Sequence, residues 1–126
     1  MPKKIISTKK APAAIGSYSQ ALKVDNIVYV SGQLPLMPET MSVVSGEFSD
    51  QLRQIFNNLM AISEEAGGTL DDIVKLNVYL TDLENFSLLN KLMSEYFKEP
   101  FPARAVIGVL ELPKGVQIEI DATLHL

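Results

Sequence analysis

The sequence predicts an α+β fold in which two helices form one layer over one face of a mixed β-sheet. Three observations carry this. Several short segments alternate apolar and polar residues or run wholly apolar, as strands do. Two longer stretches repeat apolar residues at helical spacing. Their order is β-β-β-α-β-α-β-β, and helices that alternate with strands pack back onto the sheet those strands build.

Each element has a local reason. Lys3 to Ser7 forms a short first strand, and Ala11 to Ser17 is a loop of small and turn-forming residues. Tyr18–Val24 and Ile27–Ser31 flank Asp25-Asn26, a two-residue hairpin signal. Gly32-Gln33-Leu34-Pro35 ends the second of these strands, and Leu36 to Gly46, with Pro38 inside it, is irregular. Asp50 or Ser49 caps a helix whose apolar face is Leu52, Ile55, Phe56, Leu59, Met60 and Ile62, and Gly67-Gly68 stops it. Ile73 to Leu80 is a strand, with Val74, Leu76, Val78 and Leu80 expected on one face. The second helix runs from Leu83 to about Lys98, where Pro100 and Pro102 forbid continuation. Two last strands, 104–112 and 116–124, flank Pro113-Lys114-Gly115.

Two helices cover only one side of such a sheet. In the last strand Ile118, Ile120, Ala122 and Leu124 point one way, while Gln117, Glu119, Asp121, Thr123 and His125 point the other. Strands 73–80 and 103–112 are apolar on both faces, so the uncovered face is expected to pack against further copies of the chain.

Composition narrows the function. The 126 residues read as one domain, 1–126, with a formal net charge of −4, which argues against nucleic acid as a partner. There is no cysteine and one histidine, His125, so thiolate chemistry, disulfides and a multi-histidine metal site within one chain are excluded. No apolar run of signal-peptide or bilayer length is present, and a cytoplasmic protein with no membrane partner is expected.

Arg104 stands out in Phe101-Pro102-Ala103-Arg104-Ala105-Val106-Ile107-Gly108-Val109-Leu110, an otherwise uncharged strand. A guanidinium on an apolar strand needs an anion. Either a carboxylate of the protein meets it, or it forms a fork for an anionic ligand; the residues alone leave both open. Glu119 stands on the polar face of the last strand, as a solvated residue or as one that handles water and protons. If the last two strands formed a simple hairpin, Arg104 and Glu119 would lie roughly 15 Å apart. One small substrate would bridge them only if the strands are not neighbours or the two residues come from different subunits. The other arginine, Arg53, reads as decoration of a solvated helix face.

Four segments together resemble the RidA/YjgF family of reactive-intermediate (enamine/imine) deaminases, formerly labelled endoribonuclease L-PSP. They are Ala11-Pro12-Ala13-Ala14-Ile15-Gly16-Ser17-Tyr18-Ser19-Gln20-Ala21, Val30-Ser31-Gly32-Gln33-Leu34-Pro35, Pro102-Ala103-Arg104, and Leu112-Pro113-Lys114-Gly115-Val116-Gln117-Ile118-Glu119-Ile120-Asp121-Ala122. The resemblance spans nearly the whole chain in order. It implies a chorismate-mutase-like fold and a homotrimer with sites between subunits. It also implies hydrolysis of 2-imino acids, such as 2-iminopropanoate from 2-aminoacrylate or 2-iminobutanoate, to 2-keto acids and ammonia, without metal or organic cofactor.

On this resemblance Arg104 holds the substrate carboxylate, Glu119 works on water and protons, and Tyr18 donates its hydroxyl to substrate or water. Gly32 allows close backbone approach, and Asn90 resembles a site-lining asparagine. Where many relatives carry a Ser-Cys pair after the arginine, Ala105-Val106 stand here, and Val106, on the face of Arg104, is expected to line the pocket and make it more apolar. Asp121 and His125 share the face of Glu119, but Asp121 falls two residues beyond the matching position. Two other readings stay in view: an RNA-acting translation inhibitor or endoribonuclease, and a non-catalytic trimer that binds small carboxylates.

Overall fold

The structure, a computed structural model, describes residues 2–126. Six strands form one mixed sheet: β1 (Lys4–Ile6), β2 (Ala21–Val24), β3 (Ile27–Gln33), β4 (Ile73–Leu80), β5 (Ala103–Gly108) and β6 (Ile118–His125). Two helices, α1 (Phe48–Glu65) and α2 (Phe86–Met93), complete the α+β architecture that the sequence predicts. The spatial strand order is β1-β2-β3-β6-β4-β5. The last strand is therefore inserted between β3 and β4, antiparallel to both, and β5 runs parallel to β4 at the sheet edge.

This order answers the hairpin question. Strands β5 and β6 are consecutive in sequence but separated by β4, so no hairpin joins them. Residues in register across neighbouring strands project from the same face. Leu76 registers with Arg104 and Ala122, and Val78 with Val106 and Ile120. One step along, Asn77 registers with Ala105 and Asp121, and Tyr79 with Ile107 and Glu119. The first set faces the helices and the second faces away.

The core lies between the sheet and the helices. Leu52, Ile55, Phe56, Leu59 and Ile62 of α1 and Leu89 of α2 are fully buried against Val28, Leu76, Val78, Leu80, Ile118, Ile120 and Leu124. Phe56 also meets Tyr96 and Phe97, with ring centroids 4.7 and 5.5 Å away, which fastens the segment after α2 onto α1. Beside them Arg53 pairs with Glu95 at 3.0 Å on the surface, so its helix-face position includes an ion pair.

Several boundaries differ from expectation for identifiable reasons. α1 begins at Phe48, not after Asp50, because Phe48 is buried and draws the first turn onto the core. Its N-cap, Glu47, makes no side-chain cap, and Asp50 instead accepts from the Ser45 hydroxyl at 2.8 Å. A 3-10 turn at Leu83–Asn85, whose Glu84 N–H donates to Asp82 at 3.0 Å, precedes α2. α2 ends at Met93, where the Ser94 hydroxyl donates back to the Lys91 carbonyl at 2.6 Å.

In β4 an extra residue between Ile73 and Lys75 breaks the register, so Ile73 turns into the core and Val74 is exposed. Val74 therefore leaves the face expected for it. β5 stops at Gly108, opposite the end of β4 at Leu80, because no ladder partner exists beyond that point. Tyr18 precedes β2 instead of starting it.

Ile120 lies at the centre of the sheet with no exposure. Ile120→Ala should destabilise the chain by about 2–5 kcal/mol in urea unfolding. A loss below about 1 kcal/mol would contradict this core assignment.

Candidate active site

The residues singled out from the sequence fall into two groups on opposite faces of the sheet. The first surrounds Arg104. Its Nη1 donates to Asn90 Oδ1 at 2.7 Å and to the Met93 sulfur at 3.4 Å, and its guanidinium carbon lies 5.3 Å from the centre of the Phe86 ring. α2 supplies all three contacts, because positions 86, 90 and 93 follow one another along one helical face. These contacts aim the side chain into a cleft of about 480 Å³ lined by Asn90, Met93, Ser94, Phe101, Pro102 and Arg104.

Among the described residues no carboxylate meets this guanidinium, and the only ion pair is Arg53–Glu95. The Nε and Nη2 groups of Arg104 have no hydrogen-bond partner among those residues, and that edge has the geometry that a planar carboxylate meets side-on. The internal ion pair that the sequence left open is thus not formed within the chain. Val106, two residues along on the same face, packs against the core and does not line this cleft, so the expectation that it shapes the pocket wall is not met in the single chain.

The second group surrounds Glu119. β3 carries an irregularity between Val30 and Gln33, where three residue steps face two on β6. Gly32 lies in it, and a Cβ there would strike the Glu119 carboxylate, so only glycine lets that carboxylate lie over the β3 backbone. Burial and the charge of Asp121 raise the Glu119 carboxyl above its ordinary value of 4.5.

Gly32 also lines a second cleft, of about 260 Å³, together with Tyr18, Ile15, Gln33, Leu34 and Lys114. Tyr18 is held near Gly32 because the segment before β2 runs beside Ser31. The Ser31 N–H donates to the Gln20 carbonyl at 3.0 Å, and its hydroxyl to the Ser19 carbonyl at 2.6 Å. The Tyr18 hydroxyl accepts from the Ile15 N–H at 3.3 Å, while the ring remains 53% exposed.

Three features escaped the sequence reading. Buried Gln20 donates to the Thr8, Ala11 and Pro12 carbonyls and accepts from the Thr8 N–H at 2.7 Å, which fixes the loop carrying Tyr18. Phe86, Met93 and Phe101 form the surroundings of Arg104, but at helical spacing the first two read only as a packing stripe. Asp121 accepts from Asn77 Nδ2 at 2.8 Å and from the Tyr79 hydroxyl at 2.9 Å, a pairing visible only once β4 is known to lie beside β6. His125 is exposed at the end of β6. Among the described residues no cluster of three or more histidine, cysteine, aspartate or glutamate side chains could hold a metal ion. Among the described residues no helix is long and apolar enough to cross a membrane.

Arg104 and Glu119 are far apart within the chain. Arg104 registers with Leu76 and Glu119 with Tyr79, three steps along β4, or about 10 Å, and their strands flank β4, about 10 Å apart. They also project from opposite faces.

A small α+β sheet with a paired-helix layer, an arginine cleft on one face and a glutamate over a glycine on the other defines a recognisable class. The family model described as Endoribonuclease L-PSP matches residues 8–126, and the chain belongs to this family, also called YjgF/RidA. RidA from the Antarctic bacterium Psychrobacter sp. PAMC 21119 has a solved structure that superposes with a TM-score of 0.94 at 51% identity, over 98% of this chain and 99% of that one. The 2-iminobutanoate/2-iminopropanoate deaminase of Dermatophagoides farinae is 44% identical over 96% of this chain and 94% of its own. The structure of E. coli TdcF with bound serine matches with a TM-score of 0.91 at 37% identity, over 98% of both chains.

The raised Glu119 carboxyl has a consequence for stability. The folded state holds this proton more tightly than the unfolded chain does. The associated stability is therefore full below pH 4.5 and is lost as pH rises through the folded-state value. Glu119→Gln should raise Tm relative to wild type at pH 7, with the gap closing at pH 4. A gap independent of pH, or a more stable wild type at pH 7, would count against this electrostatic reading.

Proposed function

We propose that this chain hydrolyses small 2-imino acids, such as 2-iminopropanoate and 2-iminobutanoate, to 2-keto acids and ammonia. One observation carries the proposal: Arg104 is aimed into a cleft by Asn90, Met93 and Phe86, with a carboxylate-gripping edge that no side chain of the chain satisfies. A 2-imino acid presents a carboxylate adjacent to the C=N carbon. A guanidinium fork holding that carboxylate bidentately fixes the reacting carbon relative to the protein.

The chemistry then needs a group that handles protons. Glu119 takes a proton from water as the water oxygen bonds to the imine carbon. It passes that proton to the nitrogen to give a carbinolamine, then takes the hydroxyl proton and delivers it to the nitrogen as the C–N bond breaks, so ammonia leaves and a C=O forms. A carboxyl whose proton affinity is raised by burial and a neighbouring charge suits both steps. Tyr18 supplies a hydroxyl to the bound carboxylate or water, and Gly32 gives room for the Glu119 carboxylate.

The two groups come together only between copies of the chain, so the active form is an oligomer, read here as a homotrimer. The sheet face away from the helices exposes Ile5, Tyr29 and Ile107 at 67%, 52% and 45%, apolar surface suited to a second copy. In the trimer Glu119, Tyr18 and Gly32 of one subunit face Arg104 and Asn90 of its neighbour. The deaminase name of the Dermatophagoides farinae relative and the serine bound to E. coli TdcF, itself an amino acid with a carboxylate, support this substrate class.

The word endoribonuclease in the family description raises a second reading. It finds little footing in a chain of net charge −4 whose single histidine leaves no His–His acid–base pair within one chain.

The test is ammonia release above spontaneous hydrolysis, with the imine generated in place from an amino acid by an amino-acid oxidase. Arg104→Ala should lower kcat/KM by about 100-fold or more, the scale of a lost charge-assisted carboxylate contact. A variant with the wild-type rate would remove Arg104 as the anchor. Carboxylate binding that depends on Arg104 without any turnover would favour the non-catalytic binding trimer.

A further inference from the structure

Asp121 is a charged side chain of the open sheet face whose two carboxylate oxygens are each held by a hydrogen bond from β4. Asn77 Nδ2 donates to its Oδ1 at 2.8 Å, and the Tyr79 hydroxyl donates to its Oδ2 at 2.9 Å. The Tyr79 phenol is raised above its ordinary range by that hydrogen bond first and by burial second, so it stays a donor. Both donors lie on β4, whose Asn77 and Tyr79 register with Asp121 and Glu119. The two acids are successive residues on one face of β6, about 7 Å apart along the strand.

The surroundings of Glu119 make Asp121 its dominant electrostatic neighbour. On β6 the next titratable group on this face is His125, six residues away. β4 contributes Tyr79 and Lys75, and Lys75 registers with Thr123, beyond Asp121 as seen from Glu119. β3 contributes Tyr29, also in register with Thr123, and from β5 only Ala105 and Ile107 face this side nearby. From the loops, Tyr18 and Lys114 line the cleft beside Gly32, Glu119 makes no ion pair among the described residues, and Asp121 is the charge that shifts its carboxyl.

We propose that Asp121, locked by Asn77 and Tyr79, is a positioning residue that keeps a negative charge beside Glu119 so that the Glu119 carboxyl retains a proton for the departing nitrogen. This rests on the reading of Glu119 as the proton-handling group and adds a residue that touches neither substrate nor water. The mechanism is repulsion between like charges in a partly buried site: an ionised Glu119 would face a fixed carboxylate, and a protonated one does not. Asn77 and Tyr79 matter because they stop Asp121 from swinging into solvent, where water would screen it.

The experiment follows the Glu119 carboxyl directly by carbon-13 NMR titration in the intact protein, alongside the pH dependence of kcat for imine hydrolysis. Asp121→Asn keeps the shape and removes the charge, and Asp121→Ser does the same with a smaller side chain if the first fails to fold. Either should move the Glu119 midpoint to lower pH and displace the matching limb of the kcat profile by the same amount. Asp121→Glu, which restores the charge, should bring both back toward wild type. A Glu119 midpoint unchanged in the neutral variants overturns the inference. A midpoint that moves while the kcat profile stays fixed upholds the electrostatic coupling and overturns the reading of Glu119 as the proton-handling group.

Discussion

A β-strand sends successive side chains to opposite faces of its sheet, and β4 converts that rule into the layout of the whole molecule. With β5 on one side of it and β6 on the other, every residue of those strands is assigned to a face by its register with β4. Leu76 places Arg104 among the helices, and Tyr79 places Glu119 on the far side. A one-residue shift of β6 would turn Ile118 and Ile120 out of the core as it moved Glu119 to the helix side, and the same shift of β5 would move Arg104 to the open side. The burial that stabilises the fold thus enforces the separation of the two groups. Function, on this account, is completed by a second copy of the chain.

Each half of the arrangement is prepared in advance. On the helix side, Asn90, Met93 and Phe86 fix one end of the guanidinium and leave its other edge for a planar anion. On the open side, Gly32 makes room for the Glu119 carboxylate, while burial and Asp121 favour its protonated form. The loop with Tyr18 is tied down by the single buried amide of Gln20, which serves four backbone groups. Such side chains, oriented before a ligand arrives, reduce the ordering that binding would otherwise require.

Much of this was legible in the sequence because it depends on local pattern. The helix stripe of Leu52, Ile55, Phe56 and Leu59 and the alternation of Ile118, Ile120, Ala122 and Leu124 identify their elements and buried faces. The oddity of Arg104 on an apolar strand was visible from one short segment. What stayed hidden depends on residues distant in the chain. Nothing local to Ile73 and Val74 signals the bulge that turns Val74 outward, and nothing around Phe48 predicts that its burial starts α1 early. The insertion of β6 between β3 and β4 is likewise a long-range pairing. Without it Asp121 had no partners, and Val106 had no sign of the core packing that keeps it out of the Arg104 cleft of the single chain.

The central claim is that Arg104 of one subunit works with Glu119 of another, and subunit mixing tests it most directly. Arg104→Ala and Glu119→Gln chains, each inactive alone, would be co-expressed under separate tags and the mixed assemblies isolated. Every mixed trimer, whichever chain is in excess, keeps both groups intact at one of its three interfaces, so the account predicts recovery of roughly a third of the wild-type imine hydrolysis rate. Mixed assemblies no more active than the two parents would contradict it, because Arg104 and Glu119 would then have to act within one chain.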